Sequence, residues 1–300
     1  MNQTIKPLKK GDKIVILAPA KAIDIASVDF AEKLLRKKGF DVVISEHCLG
    51  QHHYFSGTEA ERLQDFQLAL DDESVSAIVC ARGGYGCVQI VDKIQWASFL
   101  RHPKWIVGFS DVTVFHQRIQ KMELQSIHAT MPLNFKKNSN EAIDSMVGAL
   151  TGNATSITVP YDYHNKEGYC KGELVGGNLS IIYSLIGTND QLDFTNKILF
   201  IEDLAEQLYN IDRMFYALSK SSVLDKINGL IIGGMTDLKD TEISIGRSYQ
   251  EIILSHLAYK NIPVCFNFPA GHIADNRALI FGKNTKLDVS SSGAVLNYSK

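Results

Sequence analysis

The chain has 300 residues, 45% hydrophobic and 21% charged, with 31 basic against 33 acidic side chains. That length predicts two domains, and the proportions exclude a disordered, collagenous or coiled-coil protein. A net charge of −2, with both signs mixed along the chain, excludes the basic stripe of a nucleic-acid binder. Residues 14–18 form a continuous apolar run stopped by Pro19, which reads as a buried parallel strand. The run is too short for a membrane helix or a signal peptide. A helix is expected over 26–38, with Phe30, Leu34 and Leu35 on one face and Gly39 closing a basic last turn. Residues 41–44 read as a strand. Thr58 and Glu61 form a T-x-x-E capping box that opens a helix carrying Leu63, Phe66 and Leu70. Strands follow at 76–80 and 105–108, with helices at 88–91 and 112–122. This alternation predicts an open, mostly parallel sheet with helices on both faces.

The pattern then changes. Residues 136–168 are polar and turn-rich around one helical stretch at 141–150, and are expected to link a first domain, 1–135, to a second, 169–300. In the second, strands at 198–201, 229–233 and 263–266 alternate with helices at 211–220 and 247–258. Two strands, 286–289 and 294–296, close the chain around Ser-Ser-Gly. The cysteines, Cys48, Cys80, Cys87, Cys170 and Cys265, are odd in number, widely spaced and without C-x-x-C, as expected of reduced thiols in a cytoplasmic protein.

Ligands of open α/β sheets bind beyond the carboxyl ends of the strands, and two turns stand there. Ala81-Arg82-Gly83-Gly84-Tyr85-Gly86 lets the backbone approach a ligand closely. It reads as an oxyanion hole, a substrate cradle or a plain tight turn, and its spacing is not the dinucleotide G-x-G-x-x-G. Gly108-Phe109-Ser110-Asp111 runs from a strand straight into a helix, the context of a nucleophile elbow, although Val112 stands where a second glycine is usual. A serine there also reads as a helix N-cap. A serine nucleophile needs a base and the base an orienter. Of nine histidines, His272 follows Gly271 just past a strand end and suits a base projecting into a cleft. Glu202-Asp203 ends an apolar strand and suits the orienter, or else the charged start of a helix. There is no H-E-x-x-H, and no Walker motif, so neither a metal nor a cofactor is expected.

The sequence resembles the LD-carboxypeptidases, serine peptidases related to the microcin C immunity peptidases. The resemblance is carried by Ala18-Pro19-Ala20, the glycine turn at 81–86, Gly108-Phe109-Ser110-Asp111, residues 127–132, residues 172–179, Phe200-Ile201-Glu202-Asp203 with Asp212-Arg213, and Gly271-His272, all in order. Residues 127–132 depart from the family in having Ala129-Thr130 where Gly-Pro is expected. The resemblance implies a Rossmann-like N-terminal domain and a smaller, β-rich α/β C-terminal domain, with the active site at their interface. It implies Ser110 as nucleophile, Glu202 as acid and His272 as base, with Gly84 and Asp111 N–H groups as the oxyanion hole. It further implies a cytoplasmic homodimer that acts on a small peptide, the murein tetrapeptide, and not on nucleic acid or membrane. Its reaction would be release of the terminal D-alanine in cell-wall recycling. Arg82 and Tyr85 are candidate substrate-binding residues, Arg82 because a guanidinium fork suits a carboxylate; an ion pair is the alternative for it. Two other functions fit the residues: an immunity peptidase acting on a peptidyl-nucleotide, and a muropeptide-binding protein without turnover.

Overall fold

The computed structural model describes residues 5–299; the outermost positions of the two expected domains, 1–4 and 300, lie outside the described residues. The chain divides into two compact units. One extends to Ala154 and takes in Ala274–Ile280; the other comprises Thr155–Ile273 and the chain from Phe281 onward.

In the first unit, β1 (Lys13–Leu17), β2 (Asp41–Ile44), β3 (Val75–Cys80), β4 (Trp105–Gly108) and β5 (Ser126–His128) are all parallel and lie in the order 2-1-3-4-5. This is a doubly wound order, whose ligand crevice falls where β1 and β3 separate. The connecting helices are α1 (Ile25–Lys37), α2 (Glu59–Asp71), α3 (Cys87–Ile90), α4 (Ala97–Arg101) and α5 (Thr113–Lys121), and α6 (Asn140–Leu150) follows β5. Ile14, Ile16 and Leu17 of β1 are wholly buried, as befits a strand covered on both faces. Helix starts are set by short polar side chains. Asp24 accepts the Ser27 N–H at 2.8 Å before α1. The capping box of α2 is complete, with Glu61 Oε2 accepting the Thr58 N–H at 2.7 Å.

In the second unit the chain forms β6 (Ile157–Val159), β7 (Gly168–Asn178), α7 (Leu179–Ser184), β8 (Ile198–Leu204), α8 (Leu208–Lys220), α9 (Val223–Lys226), β9 (Gly229–Thr236), α10 (Tyr249–His256) and β10 (Val264–Cys265). Strand β11 (Leu279–Phe281) joins the first sheet beside β5, and β12 (Asn284–Ser290) and β13 (Gly293–Tyr298) complete the second. The second sheet has the order 10-9-8-7-12-13-6. Its first half is parallel and its second antiparallel. Leu199, Ile201, Leu230 and Ile232 of the parallel half pack with Phe215, Leu218 and Ile252 of α8 and α10 in one apolar core. Both units are therefore α/β, the first with β1–β5 parallel and the second with a mixed sheet.

The stretch expected to be a linker is largely structured. Helix α6 buries Ala142, Ile143, Met146 and Leu150 in the first unit, and the Leu8 N–H bonds the Leu150 carbonyl at 2.8 Å. Strand β6 pairs with β13 in the second unit, so the division falls between Ala154 and Thr155. Residues 274–280, expected in the second domain, belong to the first unit. Ala274 accepts the Ser139 N–H at 2.9 Å and the Ala278 N–H bonds Ser145 Oγ at 2.8 Å.

Candidate active site

In the first unit β4 ends at Gly108 and the chain turns within two residues. Ser110 has φ +63°, the left-handed region that side chains other than glycine rarely enter, at a cost of about 1–3 kcal/mol. One 3₁₀ turn, Ser110–Val112, leads into α5. The N-cap of α5 is Val112, with no side-chain cap bond, so Ser110 is not serving as the cap of that helix. Val112 in place of a second glycine is accommodated by Gly108. A Cβ built there would lie 2.9 and 3.0 Å from the Val112 methyls and 3.2 Å from Cys80 Cβ.

His116 braces the elbow. Its Nε2 lies 2.9 Å from the Gly108 carbonyl and its Nδ1 2.8 Å from Ser126 Oγ. A carbonyl only accepts, so Nε2 carries the proton and Nδ1 accepts from the hydroxyl. Burial pushes His116 down to about 4, ahead of the opposing bond to Gly108, so the ring is neutral.

The glycine turn after β3 touches the elbow. A Cβ on Gly83 would lie 3.1 Å from Ser110 Cβ, 3.3 Å from Ser110 Oγ and 3.2 Å from the Asp111 nitrogen. Gly84 and Gly86 have φ of +111° and +147°, which a side chain would strain. Asp111 Oδ2 accepts the Cys87 N–H at 2.9 Å, tying the start of α3 to the elbow. Burial raises the Asp111 carboxyl above the usual range against the bonds to Cys87 and the Arg62 charge. Arg82, half-buried, donates to the Ala22 carbonyl at 2.9 Å. Tyr85 is 49% exposed beside Phe55.

One residue of this site escaped sequence reasoning. Arg62 is 2% exposed and donates to the carbonyls of Pro19 (2.8 Å) and Gly86 (3.1 Å) and to Gln89 Oε1 (2.6 Å). Its guanidinium lies over the Phe55 ring. It thus joins the loop after β1 to the turn after β3. The signal was present: Arg62 shares the buried stripe of α2 with Phe66, Ala69 and Leu70, and a buried cation must find acceptors.

In the second unit β8 continues through Glu202 and Asp203 to Leu204, so these acids lie in a strand and not at a helix start. Register with β9 shifts there: Ile201 faces Ile232 and Asp203 faces Met235, leaving Gly233 and Gly234 against Glu202. Such irregularities re-aim a side chain. Glu202 is wholly buried. Its Oε2 accepts the His272 backbone N–H at 3.1 Å and lies 2.6 Å from His272 Nδ1. The carboxylate only accepts, so Nδ1 carries the proton and the neutral ring presents its lone pair at Nε2. Burial lowers the His272 pKa, but the Glu202 charge and hydrogen bond, with the Asp203 charge, outweigh it and hold the ring above its ordinary value. Asp203 accepts from Asn178 Nδ2 (2.9 Å) and from the Leu204 (2.8 Å) and Ser180 (2.9 Å) N–H groups. Burial, then the neighbouring Glu202 charge, pushes it up to about 6.

Other histidines serve local pairs: His47 with Asp65, His164 with Asp162 and His256 with Asp212, at 2.7–2.9 Å. Among the described residues no group of three or more His, Cys, Asp or Glu could hold a metal ion, and no helix is long and apolar enough to cross a membrane. The five cysteines are free and buried.

A strained serine at a strand end beside a glycine turn, and an imidazole oriented by a buried carboxylate, are the parts that acyl transfer through serine requires. Residues 14–129 match the LD-carboxypeptidase N-terminal domain and residues 171–287 the LD-carboxypeptidase C-terminal domain. The chain belongs to the LD-carboxypeptidase family. It is 28% identical over 299 residues to the murein tetrapeptide carboxypeptidase of Pseudomonas aeruginosa, covering 96% of each chain. The crystal structure of muramoyltetrapeptide carboxypeptidase from Oxalobacter formigenes superposes with a TM-score of 0.88 at 26% identity, over 96% of this chain and 99% of that one. The microcin C7 self-immunity protein bound to aspartyl sulfamoyl adenosine shares the fold at a TM-score of 0.88 and 22% identity, over 99% of each chain.

Proposed function

We propose that this chain is a serine-type LD-carboxypeptidase that releases the terminal D-alanine of a murein tetrapeptide in cell-wall recycling. Ser110 Oγ attacks the carbonyl between the diamino acid and D-alanine while His272 Nε2 takes its proton. Glu202 keeps the proton on Nδ1 and stabilises the imidazolium. The Gly84 and Asp111 N–H groups receive the oxyanion, each worth about 3 kcal/mol if it acts like a measured donor. His272 then protonates the leaving amine, and water releases the acyl group from Ser110. Nucleophile and base belong to different units, so the reaction requires the units to bring them together. A misplacement of about 1 Å would cost on the order of a hundredfold. A cytoplasmic homodimer belongs to the same reading.

The observation that carries it is the left-handed Ser110 pressed against Gly83 at the end of β4, the strand-to-helix turn that exposes a nucleophile above the sheet. The relatives named for murein peptides stand at 26–28% identity, above the immunity protein at 22%, which favours the tetrapeptide. The test is to offer purified protein L-Ala-γ-D-Glu-diaminopimelate-D-Ala and, separately, an aspartyl sulfamoyl adenosine or peptidyl-nucleotide. D-Alanine release with little cleavage of the nucleotide conjugate is expected. Cleavage of the conjugate alone would transfer the assignment to the immunity peptidases. Binding of the tetrapeptide without turnover would make the chain a muropeptide-binding protein.

A further inference from the structure

We propose that Lys21, held against the glycine turn by Tyr54, binds the free terminal carboxylate of the peptide and makes the enzyme an exopeptidase; this rests on the carboxypeptidase reading above. The loop after β1 runs through Ala18-Pro19-Ala20 into Lys21, on the β1 side of the switch point where doubly wound sheets bind ligands. A Cβ built on Gly84 would lie 3.0 Å from Lys21 Cβ, 3.4 Å from Lys21 Cδ and 2.8 Å from Tyr54 Oη. The Lys21 stem therefore lies along Gly84, one residue from the glycine that touches Ser110. The ammonium stands 4.6 Å from the Tyr54 ring centre, a cation–π contact that limits where it can swing.

Backbone bonds lock this arrangement. The Lys21 N–H bonds the Gly83 carbonyl at 3.4 Å and the Ala22 N–H the Tyr54 carbonyl at 3.1 Å. Lys21 also bridges Phe55 in antiparallel fashion. The Arg82 guanidinium, read from the sequence as a candidate carboxylate ligand or an ion-pair partner, donates to the Ala22 carbonyl and so secures the loop that presents Lys21.

Charge completes the argument. Among the described residues Lys21 has no carboxylate within ion-pair distance, although it is half-buried. In an exopeptidase the substrate's carboxylate lies one residue, about 3.6 Å, beyond the scissile carbonyl. The Lys21 stem runs along Gly84, next to the glycine that touches Ser110, so its ammonium can reach a carboxylate at that spacing, whereas an internal peptide bond would leave it facing a neutral amide.

The experiment compares D-alanine release from the tetrapeptide with D-alaninamide release from its C-terminal amide, in wild type, Lys21→Met and Lys21→Arg, with thermal midpoints for all three. Wild type is expected to prefer the acid in kcat/KM. Lys21→Met should reduce the acid-to-amide ratio by about ten- to a hundredfold, as expected for loss of a hydrogen bond to a charged group, and Lys21→Arg should keep most of it. An unchanged ratio in a folded Lys21→Met protein would overturn the proposal while leaving D-alanine release intact. So would a wild type that hydrolyses acid and amide equally. A wild type that turns over neither peptide refutes the substrate reading itself, and the proposal with it.

Discussion

With His272 as the proposed base, Gly271→Ala should disable it without touching it. Gly271 has φ +105°, where an alanine costs about 1–2 kcal/mol. Its new Cβ would lie 2.7 Å from Glu202 Cβ and 2.8 Å from both Glu202 Cγ and Oε2, well inside contact distance for carbon atoms of about 3.5–4.0 Å. Glu202 is wholly buried in β8 and has no solvent to retreat into, so overpacking adds about 1–3 kcal/mol. The expected destabilisation is about 2–5 kcal/mol. Relief must come from moving the carboxylate off His272 Nδ1 or from moving the Gly271-His272 peptide. Either displaces the imidazole by a good fraction of an ångström, and kcat should fall on the order of a hundredfold. The assay is D-alanine release under saturating tetrapeptide, with urea unfolding of the same preparations. A variant as active and as stable as wild type, within about twofold in kcat, would refute the claim that Gly271 is required by the Glu202–His272 pair.

Three further outcomes follow from the same geometry. In the proposed mechanism His272 must be neutral to accept the serine proton, and its pKa is held above the ordinary imidazole value. The acidic limb of kcat/KM should therefore have its midpoint above about 6.5. Glu202→Gln removes the raising charge but leaves the burial, so the residual activity should titrate at lower pH; a limb that stays put contradicts the pairing. His116 is pushed down to about 4 in the folded chain from about 6.5 when unfolded. Its contribution is present above pH 6.5 and lost as the pH falls towards 4, about 3 kcal/mol in all. Urea unfolding of wild type and His116→Gln across that window should differ in slope, and parallel curves would contradict it. Arg62→Met leaves the Pro19 and Gly86 carbonyls without their donor and should cost about 2–4 kcal/mol by urea unfolding, with Arg62→Lys intermediate; a fully stable Arg62→Met would deny the clamp.

What the sequence disclosed depended on whether the signal was local. The capping box at Thr58 and Glu61 and the apolar run of β1 are properties of neighbouring residues, and both stand in the structure. Ser110 was visible as a strand-end serine, yet its left-handed backbone was not. Val112 replaces the glycine that usually marks such a turn, and the compensation comes from bare Gly108. The helical stretch at 141–150 was legible and stands as α6, but the polarity around it hid that α6 buries one face in the first unit and that the three residues of β6 pair in a sheet. The register shift that re-aims Glu202 depends on Gly233 and Gly234 of another strand, and pairing between strands leaves no mark in either segment alone. Arg62 was legible in principle from its place on the apolar stripe of α2. Its partners, Pro19 and Gly86, lie 43 and 24 residues away in the chain.

The most direct test of the account is D-alanine release from L-Ala-γ-D-Glu-diaminopimelate-D-Ala by wild type and Ser110→Ala, measured side by side. The account predicts release by wild type and a loss on the order of a millionfold in the variant, with its fold retained. Equal release by the two proteins would contradict it.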